Sequence, residues 1–177
     1  MSGNPTIRPM AERDLPAVLA VQAACYAASI AESGGSLLSK LRASPSTCFV
    51  ALVDGAVAGY LISLPWAFAA PPAHNLEVCR LPDRPDCLYL HDLAVAHVAR
   101  KTGAGRALVE SFLAGSRALG LARASLIAVQ DSTRYWARHG FRVVPQDSAL
   151  REKLSGYGPG VEYMQRMASA APARPGR

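Results

Sequence analysis

Lysine is scarce in this 177-residue chain: three of its 19 basic side chains are Lys and 16 are Arg. The arginines are scattered, no basic run is interleaved with aromatics, and no nucleic-acid-binding motif appears, so nucleic acid is not an expected partner. Cysteine pairing is missing too. Cys25, Cys48, Cys79 and Cys87 form no CxxC pair and no His pair stands at zinc spacing, so no metal is expected and the thiols read as free, in a reducing compartment. No stretch approaches the roughly 18 uninterrupted apolar residues that cross a bilayer, and Met1 to Pro5 lacks an apolar signal-peptide core; a cytoplasmic protein with no membrane partner is expected. Charged residues are only 18% of the chain and hydrophobic ones 50%, which excludes disorder of the whole and allows a real core. The length suits one domain, expected over 1–168, with an Ala- and Pro-rich frayed tail at 169–177. The net charge of +6 admits a polyanionic ligand.

What is present alternates between strand and helix patterns. Thr6–Arg8 reads as a strand. Asp14 reads as a helix cap, followed by apolar residues at helical spacing over 15–29, with Gly34-Gly35 breaking the helix. Leu37, Leu38 and Leu41 suggest a short second helix ending before Pro45. Asp54-Gly55 joins two β-rich runs, Cys48–Val53 and Val57–Leu64, as a hairpin. The span from Pro65 to Pro85 reads as a long loop, a length that often serves as a substrate lid or wall. Cys87–Ala96 reads as a central strand. Beyond it a helix carries Leu108, Val109, Phe112 and Leu113 and closes at Gly120. A strand over Ala124–Val129, a short helix capped by Ser132, and strands at Phe141–Val144 and Glu162–Met167 complete the α/β pattern.

Between the central strand and its helix lies Arg100-Lys101-Thr102-Gly103-Ala104-Gly105-Arg106. Glycines let a chain curl so that successive N–H groups converge, and the helix start adds unpaired N–H groups and the positive end of its dipole. With Arg100, Lys101 and Arg106 beside it, such a loop suits a phosphate or pyrophosphate. The Walker A pattern is absent, and Leu108 stands where a dinucleotide fingerprint needs its third glycine.

The run Asp92-Leu93-Ala94-Val95 followed by Arg100-x-x-Gly103-x-Gly105 resembles motif A of the GNAT superfamily of acyl-CoA-dependent N-acyltransferases. Tyr135-Trp136, then Gly140-Phe141, resembles the family's later signature. The resemblance runs from Thr6 to about Met167, and in the central strand it is similar to aralkylamine (serotonin-type) acetyltransferases, whose His-x-His-x-Leu-Ala-Val run has Tyr89 and His91 in the histidine places. It implies a single-domain mixed, splayed sheet of about seven strands flanked by about four helices. It also implies acetyl-CoA as co-substrate, with a small-molecule amine as acceptor, and leaves a homodimer open. The pantetheine arm would pair with main-chain groups around Leu93, Ala94 and Val95. The pyrophosphate would lie on the amides from Lys101 through Thr102, Gly103, Ala104 and Gly105 to Arg106, beside Arg100. Trp136 would pack against the pantetheine end or the acyl pocket. Three positions depart from the family pattern: His97 for a frequent Pro, Lys101 for a frequent Gly, and Val129 for an Asn that contacts the cofactor.

The implied reaction is direct attack of an amine on a thioester. An alkylamine of pKa near 10 is neutral in about one molecule in a thousand at pH 7, an apparent barrier of about 4 kcal/mol that a nearby base lowers. His91 is the first candidate, with Asp92 and Glu77 as alternatives; strand alternation puts Tyr89, His91 and Leu93 on one face and Leu90, Asp92 and Ala94 on the other unless a bulge intervenes. The developing negative charge on oxygen would meet a backbone N–H near Ala94 or Val95. For the leaving thiolate the family uses a Tyr where this chain has Trp136, so Tyr135 is the candidate acid, with Tyr26 and Tyr89 as further donors. A protein acetyltransferase and a non-catalytic acyl-CoA-binding module are the competing readings. Pro65-Trp66-Ala67-Phe68 suggests an apolar part of the substrate.

Overall fold

The computed structural model describes residues 4–168; the expected frayed tail at 169–177 lies outside the described residues. Seven strands form one sheet in the order β1-β2-β3-β4-β5-β7-β6. They are β1 (Thr6–Pro9), β2 (Phe49–Val53), β3 (Ala56–Trp66), β4 (Cys87–Val95), β5 (Arg123–Ala128), β6 (Arg142–Val143) and β7 (Glu162–Met167). All neighbours are antiparallel except β4 and β5. The helices are α1 (Leu15–Cys25), α2 (Gly34–Ala43), α3 (Ala104–Ala118), α4 (Thr133–Arg138) and α5 (Ser148–Ser155).

Two faces of the sheet carry separate cores. On one, α1 and α2 bury Val18, Val21, Leu37 and Leu41 against Val50, Tyr60, Ile62 and Ala94. On the other, α3 buries Leu108, Val109 and Phe112 against Leu61, Leu88, Leu90 and Leu126. A smaller cluster packs α5 through Leu150 and Leu154 onto Cys87, Tyr89 and Tyr163.

Several local expectations are corrected. The first helix stops at Cys25 rather than 29, because Tyr26 turns extended (φ −121°, ψ 147°). Gly34-Gly35 opens α2 instead of only ending α1; Ser33 caps it, its Oγ accepting from the Ser36 N–H at 3.1 Å. Asp14 stands at the expected N-cap position of α1 but makes no side-chain cap bond to it, because its carboxylate is held by Arg8 at 2.7 Å and turns back to the Ala11 N–H at 2.8 Å. Ser132 precedes α4 without a side-chain cap bond. β6 keeps two residues of the expected four, since Phe141 turns into the core. α5 was not expected; its signal is a single cap, Asp147 Oδ1 accepting from the Leu150 N–H at 2.8 Å, ahead of a polar eight-residue segment.

Two irregularities in β4 create the site. Ile62 pairs with Asp92 and Ser63 with Leu90, so His91 is an extra residue, a bulge. It reverses the expected alternation: Leu88 and Leu90 share the α3 face with Leu93 and Val95, while Ala94 faces α1 and α2. The parallel pairing with β5 covers only Leu88 to Leu90, after which β4 follows β3 to Val95 and β5 follows β7 to Ala128. The sheet is therefore splayed.

Candidate active site

Ala96 N–H donates to the Ala58 carbonyl at 2.8 Å. By antiparallel alternation Asp92 and Ala94 also turn their main-chain groups to β3, and Leu93 and Val95 turn theirs to the gap left by β5. Of the two N–H groups considered for the charged oxygen, that of Val95 faces the gap and that of Ala94 does not.

A cavity of about 570 Å³ fills the gap, and among its lining residues are His91, Leu93, Ala94, Val95, Arg100, Lys101, Gly103, Ala104, Gly105, Arg106, Tyr135 and Trp136. Thr102 works from behind the loop: its Oγ1 donates to the Ala99 carbonyl at 2.8 Å and accepts from the Ala104 N–H at 3.3 Å. Gly103, at φ 92°, turns the chain into α3, and the helix's own bonds begin with Ala107 N–H to Gly103 O, so Gly105 and Arg106 N–H have no helical acceptor. Lys101 adopts φ 75°, the left-handed region, which accounts for glycine being usual there. Of the three loop cations, Arg106 is engaged with Glu110 at 2.8 Å on the surface. A Cβ on Gly105 would lie 3.1 Å from Tyr135 Oη, so the tyrosine hydroxyl is packed over the first turn of α3. Trp136 is 6% exposed, stacks edge-on against Phe141 at 5.7 Å, and reaches the cavity with one side, as does Val129.

At the far end of the cavity stands an ionic network whose partners were not singled out in the sequence. His91 Nε2 lies 3.0 Å from Glu32 Oε1, and the two side chains are 3% and 4% exposed. Glu32 Oε2 accepts from Lys40 Nζ at 2.9 Å, and Lys40 is wholly buried. Lys40 also donates to Ser36 Oγ at 2.6 Å, and the Asn75 N–H donates to Glu32 Oε1 at 2.6 Å. Burial works to raise the Glu32 pKa, but His91 and Lys40 together hold it well below the usual carboxylate range. Glu32 faces Nε2 as an acceptor, and a neutral imidazole that donates to it from Nε2 carries its lone pair on Nδ1. That Nδ1 is buried and, among the described residues, has no hydrogen-bond partner.

The bulge also turns Asp92 to the α1 side. Its Oδ2 accepts from Tyr60 Oη at 2.5 Å, and its Oδ1 lies 2.9 Å from Tyr26 Oη, which is itself 2.7 Å from the Leu93 carbonyl. Burial, chiefly, raises the Asp92 pKa. Glu77 is exposed on the outer side, accepting from Ser33 Oγ at 3.3 Å, and does not line the cavity.

The proline-rich segment is a wall, pinned across to the α1–α2 connection. His74 Nε2 meets the Ile30 carbonyl at 2.8 Å, Asn75 Oδ1 accepts from Ser33 N–H at 2.8 Å, and the Leu76 carbonyl accepts from Ser36 Oγ at 2.8 Å. Its inner side offers His74, with Tyr89 and Tyr157 alongside; Tyr157 Oη donates to the Pro72 carbonyl at 2.7 Å. Trp66 and Phe68, expected to meet substrate, pack instead in the small cluster, with Phe68 edge-on to Tyr163 and under the Arg123 guanidinium at 4.3 Å. Among the described residues no cluster of three His, Cys, Asp or Glu is arranged to hold a metal ion, and no helix is long and apolar enough to cross a membrane.

The model of the family described as Acetyltransferase (GNAT) family matches residues 15–141. Among solved structures, the ribosomal-protein-S18-alanine N-acetyltransferase from Escherichia coli is similar with a TM-score of 0.68 at 18% identity, over 98% of this chain and 99% of that one. The GphF GNAT-like decarboxylase in complex with isobutyryl-CoA gives 0.74 at 22% identity, over 93% and 100%. The PaiA N-acetyltransferase from Thermoplasma acidophilum in complex with coenzyme A gives 0.66 at 14% identity, over 93% and 99%. At such identities the likeness is one of fold. No curated protein matches the chain.

Proposed function

The chain belongs to the GNAT acetyltransferase family, and from that premise we propose that it transfers the acetyl group of acetyl-CoA to the primary amine of a small molecule. The observation that carries the reading is one continuous cavity lined both by a curled cationic loop and by His91, whose buried Nδ1 has no partner among the described residues.

The residues present fit acetyl-CoA. The main chain at Leu93 and Val95 faces the gap left by β5; the Leu93 N–H, with the second lone pairs of carbonyls already touched by Tyr26 and Cys25, would take the pantetheine arm in the manner of an added strand. The N–H groups of Gly105 and Arg106, with Arg100 and Lys101, would hold the pyrophosphate. Coenzyme A carries roughly four negative charges at neutral pH, so charge favours this loop. When bound, it supplies a thioester carbonyl open to attack.

His91 Nδ1 is the base that takes the amine proton. Glu32 accepts from Nε2 and stabilises the imidazolium so formed, as the carboxylate of a catalytic triad does. The Val95 N–H, directed into the gap, stabilises negative charge on the acyl oxygen. Tyr135, the acid candidate from the sequence, lines the same cavity but holds its hydroxyl against Gly105, at the phosphate loop.

The acceptor end around His91 is lined by Ile30, His74, Tyr89 and Tyr157, and of the two carboxyl groups that flank His91, Glu32 is occupied by Lys40, Asn75 and His91 itself while Asp92 is held by Tyr60 and Tyr26. It favours a compact amine with an apolar or aromatic body. A panel of primary amines with acetyl-CoA, followed by release of free thiol, tests the proposal. Turnover of small amines supports it. Turnover of N-terminal peptides alone would move the acceptor to proteins, and coenzyme binding without turnover of any amine would leave a binding module.

A further inference from the structure

Two short oxygen–oxygen contacts meet at Asp92, Tyr60 Oη to Oδ2 at 2.5 Å and Tyr26 Oη to Oδ1 at 2.9 Å, and a third joins Tyr26 Oη to the Leu93 carbonyl at 2.7 Å. Each needs a proton between its oxygens, and the two hydroxyls supply two. A carbonyl carries none. If Tyr60 donates to Oδ2 and Tyr26 puts its proton on the nearer acceptor, the Leu93 carbonyl, a proton on Asp92 Oδ1, donated to Tyr26 Oη, gives the third contact a full bond of its own rather than a share of a three-centre one. We propose that Asp92 is held as a neutral carboxylic acid and that Tyr26, refilled from Asp92, is the proton donor to the departing thiolate.

This rests on the acetyl-transfer reading, and it supplies a donor where the usual tyrosine is replaced by Trp136. Tyr26 lines the cavity beside Asp92 and Leu93, one and two residues beyond His91 on the same strand. At about 3.3 Å per residue that keeps it near the base, and hence near the scissile bond. Tyr135 Oη lies over Gly105, at the phosphate loop.

The surroundings agree with a neutral Asp92. Burial and the Glu32 carboxylate both disfavour its charged form, against His91 on β4 and the two tyrosine hydroxyls from α1 and β3. Cys25, at the end of α1, donates to the Val95 carbonyl at 3.4 Å and brings no charge; Arg100 acts on that thiol from the loop. Two buried carboxyl groups thus flank His91 with opposite protonation, Glu32 ionised and Asp92 protonated, the pattern by which a site separates a base from an acid.

The protons balance. A neutral amine forms the N–C bond and loses one proton to His91 Nδ1. The C–S bond breaks, and sulfur takes the Tyr26 proton. Tyr26 takes the Asp92 proton. The imidazolium and the Asp92 carboxylate left behind are reset by one proton passing between them through water.

The test has two parts. Asparagine reproduces a protonated aspartate's bonding, with Nδ2 donating to Tyr26 and Oδ1 accepting from Tyr60, but has no proton to transfer. Asp92→Asn is therefore expected to keep the melting temperature, and carboxyl-carbon NMR of the parent to show Asp92 protonated at neutral pH. Clear destabilisation by Asp92→Asn, or titration of Asp92 near the ordinary value of about 3.9, overturns the proposal. The second part uses hydroxylamine, largely unprotonated at neutral pH, as acceptor with acetyl-CoA. Tyr26→Phe and Asp92→Asn are each expected to lower kcat about 10²-fold, the general-acid scale, with coenzyme A affinity by calorimetry unchanged. Loss on Tyr135→Phe with Tyr26→Phe unaffected overturns it. A parent enzyme inert to hydroxylamine and to every amine counts against acetyl transfer, and the Asp92 protonation state is still decided by NMR.

Discussion

Lys40 Nζ and Glu32 Oε2 lie 2.9 Å apart, with the lysine side chain wholly out of water and the glutamate nearly so. A buried pair of this kind contributes little net stability when intact, but removing one partner strands the other charge. Lys40→Met is expected to destabilise the fold by about 3–5 kcal/mol in denaturant unfolding. Lys40→Met combined with Glu32→Gln should recover most of that loss. Equal destabilisation in the single and double variants would show that packing, not charge, governs the site.

The same network gives the protein an acid limit. Burial raises the Glu32 pKa and is outweighed by His91 and Lys40, so its folded pKa lies below its unfolded value of about 4.5. A carboxyl lowered in this way contributes stability above the unfolded pKa and loses it as pH falls. Thermal melts from pH 6 downward should therefore drop steeply below about pH 4.5, and Glu32→Gln should flatten that descent. Coinciding slopes would remove Glu32 as the cause.

His91→Ala is expected to lower kcat/KM for an alkylamine by about 10²-fold or more, the scale of general-base catalysis. The acid limb of the pH–rate profile should vanish with it. A profile unchanged in shape would assign the base elsewhere.

Gly105 leaves room for Tyr135 and for backbone approach. Gly105→Trp and Gly103→Trp are each expected to weaken coenzyme A binding at least tenfold, about 1.4 kcal/mol. Gly105→Ala alone, whose Cβ would stand 3.1 Å from Tyr135 Oη, should displace the tyrosine and change its fluorescence with a smaller loss of affinity. Calorimetric affinities equal to the parent's would place the pyrophosphate away from this loop.

Lys101 holds φ 75° at a cost of about 1–2 kcal/mol for a residue with a Cβ. Lys101→Gly should raise the melting temperature while making coenzyme affinity slightly weaker and less sensitive to salt. A lower melting temperature would mean that the lysine side chain holds the loop.

Most of the scaffold could be read along the chain because its signals are local. Asp54-Gly55 marks one hairpin, the apolar run Cys87–Val95 marks the central strand, and Gly103 and Gly105 mark the loop. The buried half of the site could not. Glu32 lies in a connection and meets His91 across 59 residues only after folding, Lys40 reaches it from a helix, and neither stands in a recognisable motif. Asp92 was legible as an alternative base, but Tyr26 and Tyr60, which hold its carboxyl, come from other elements. α5 escaped because an amphipathic segment of eight residues barely differs from a polar loop. Trp66 and Phe68 were misplaced because an aromatic residue in a loop has the same signature whether it lines a pocket or folds onto the core.

The wall residue Asn75 and the imidazole of His91 hydrogen-bond to the same oxygen of Glu32. Acceptor choice and proton abstraction are thereby mechanically joined. An acceptor that pushes the segment outward loosens one of the two bonds anchoring that oxygen and alters the basicity of the nitrogen meant to deprotonate it. Engineering a roomier pocket by exchanging 74–77 would accordingly change turnover even for amines that never touch the exchanged side chains.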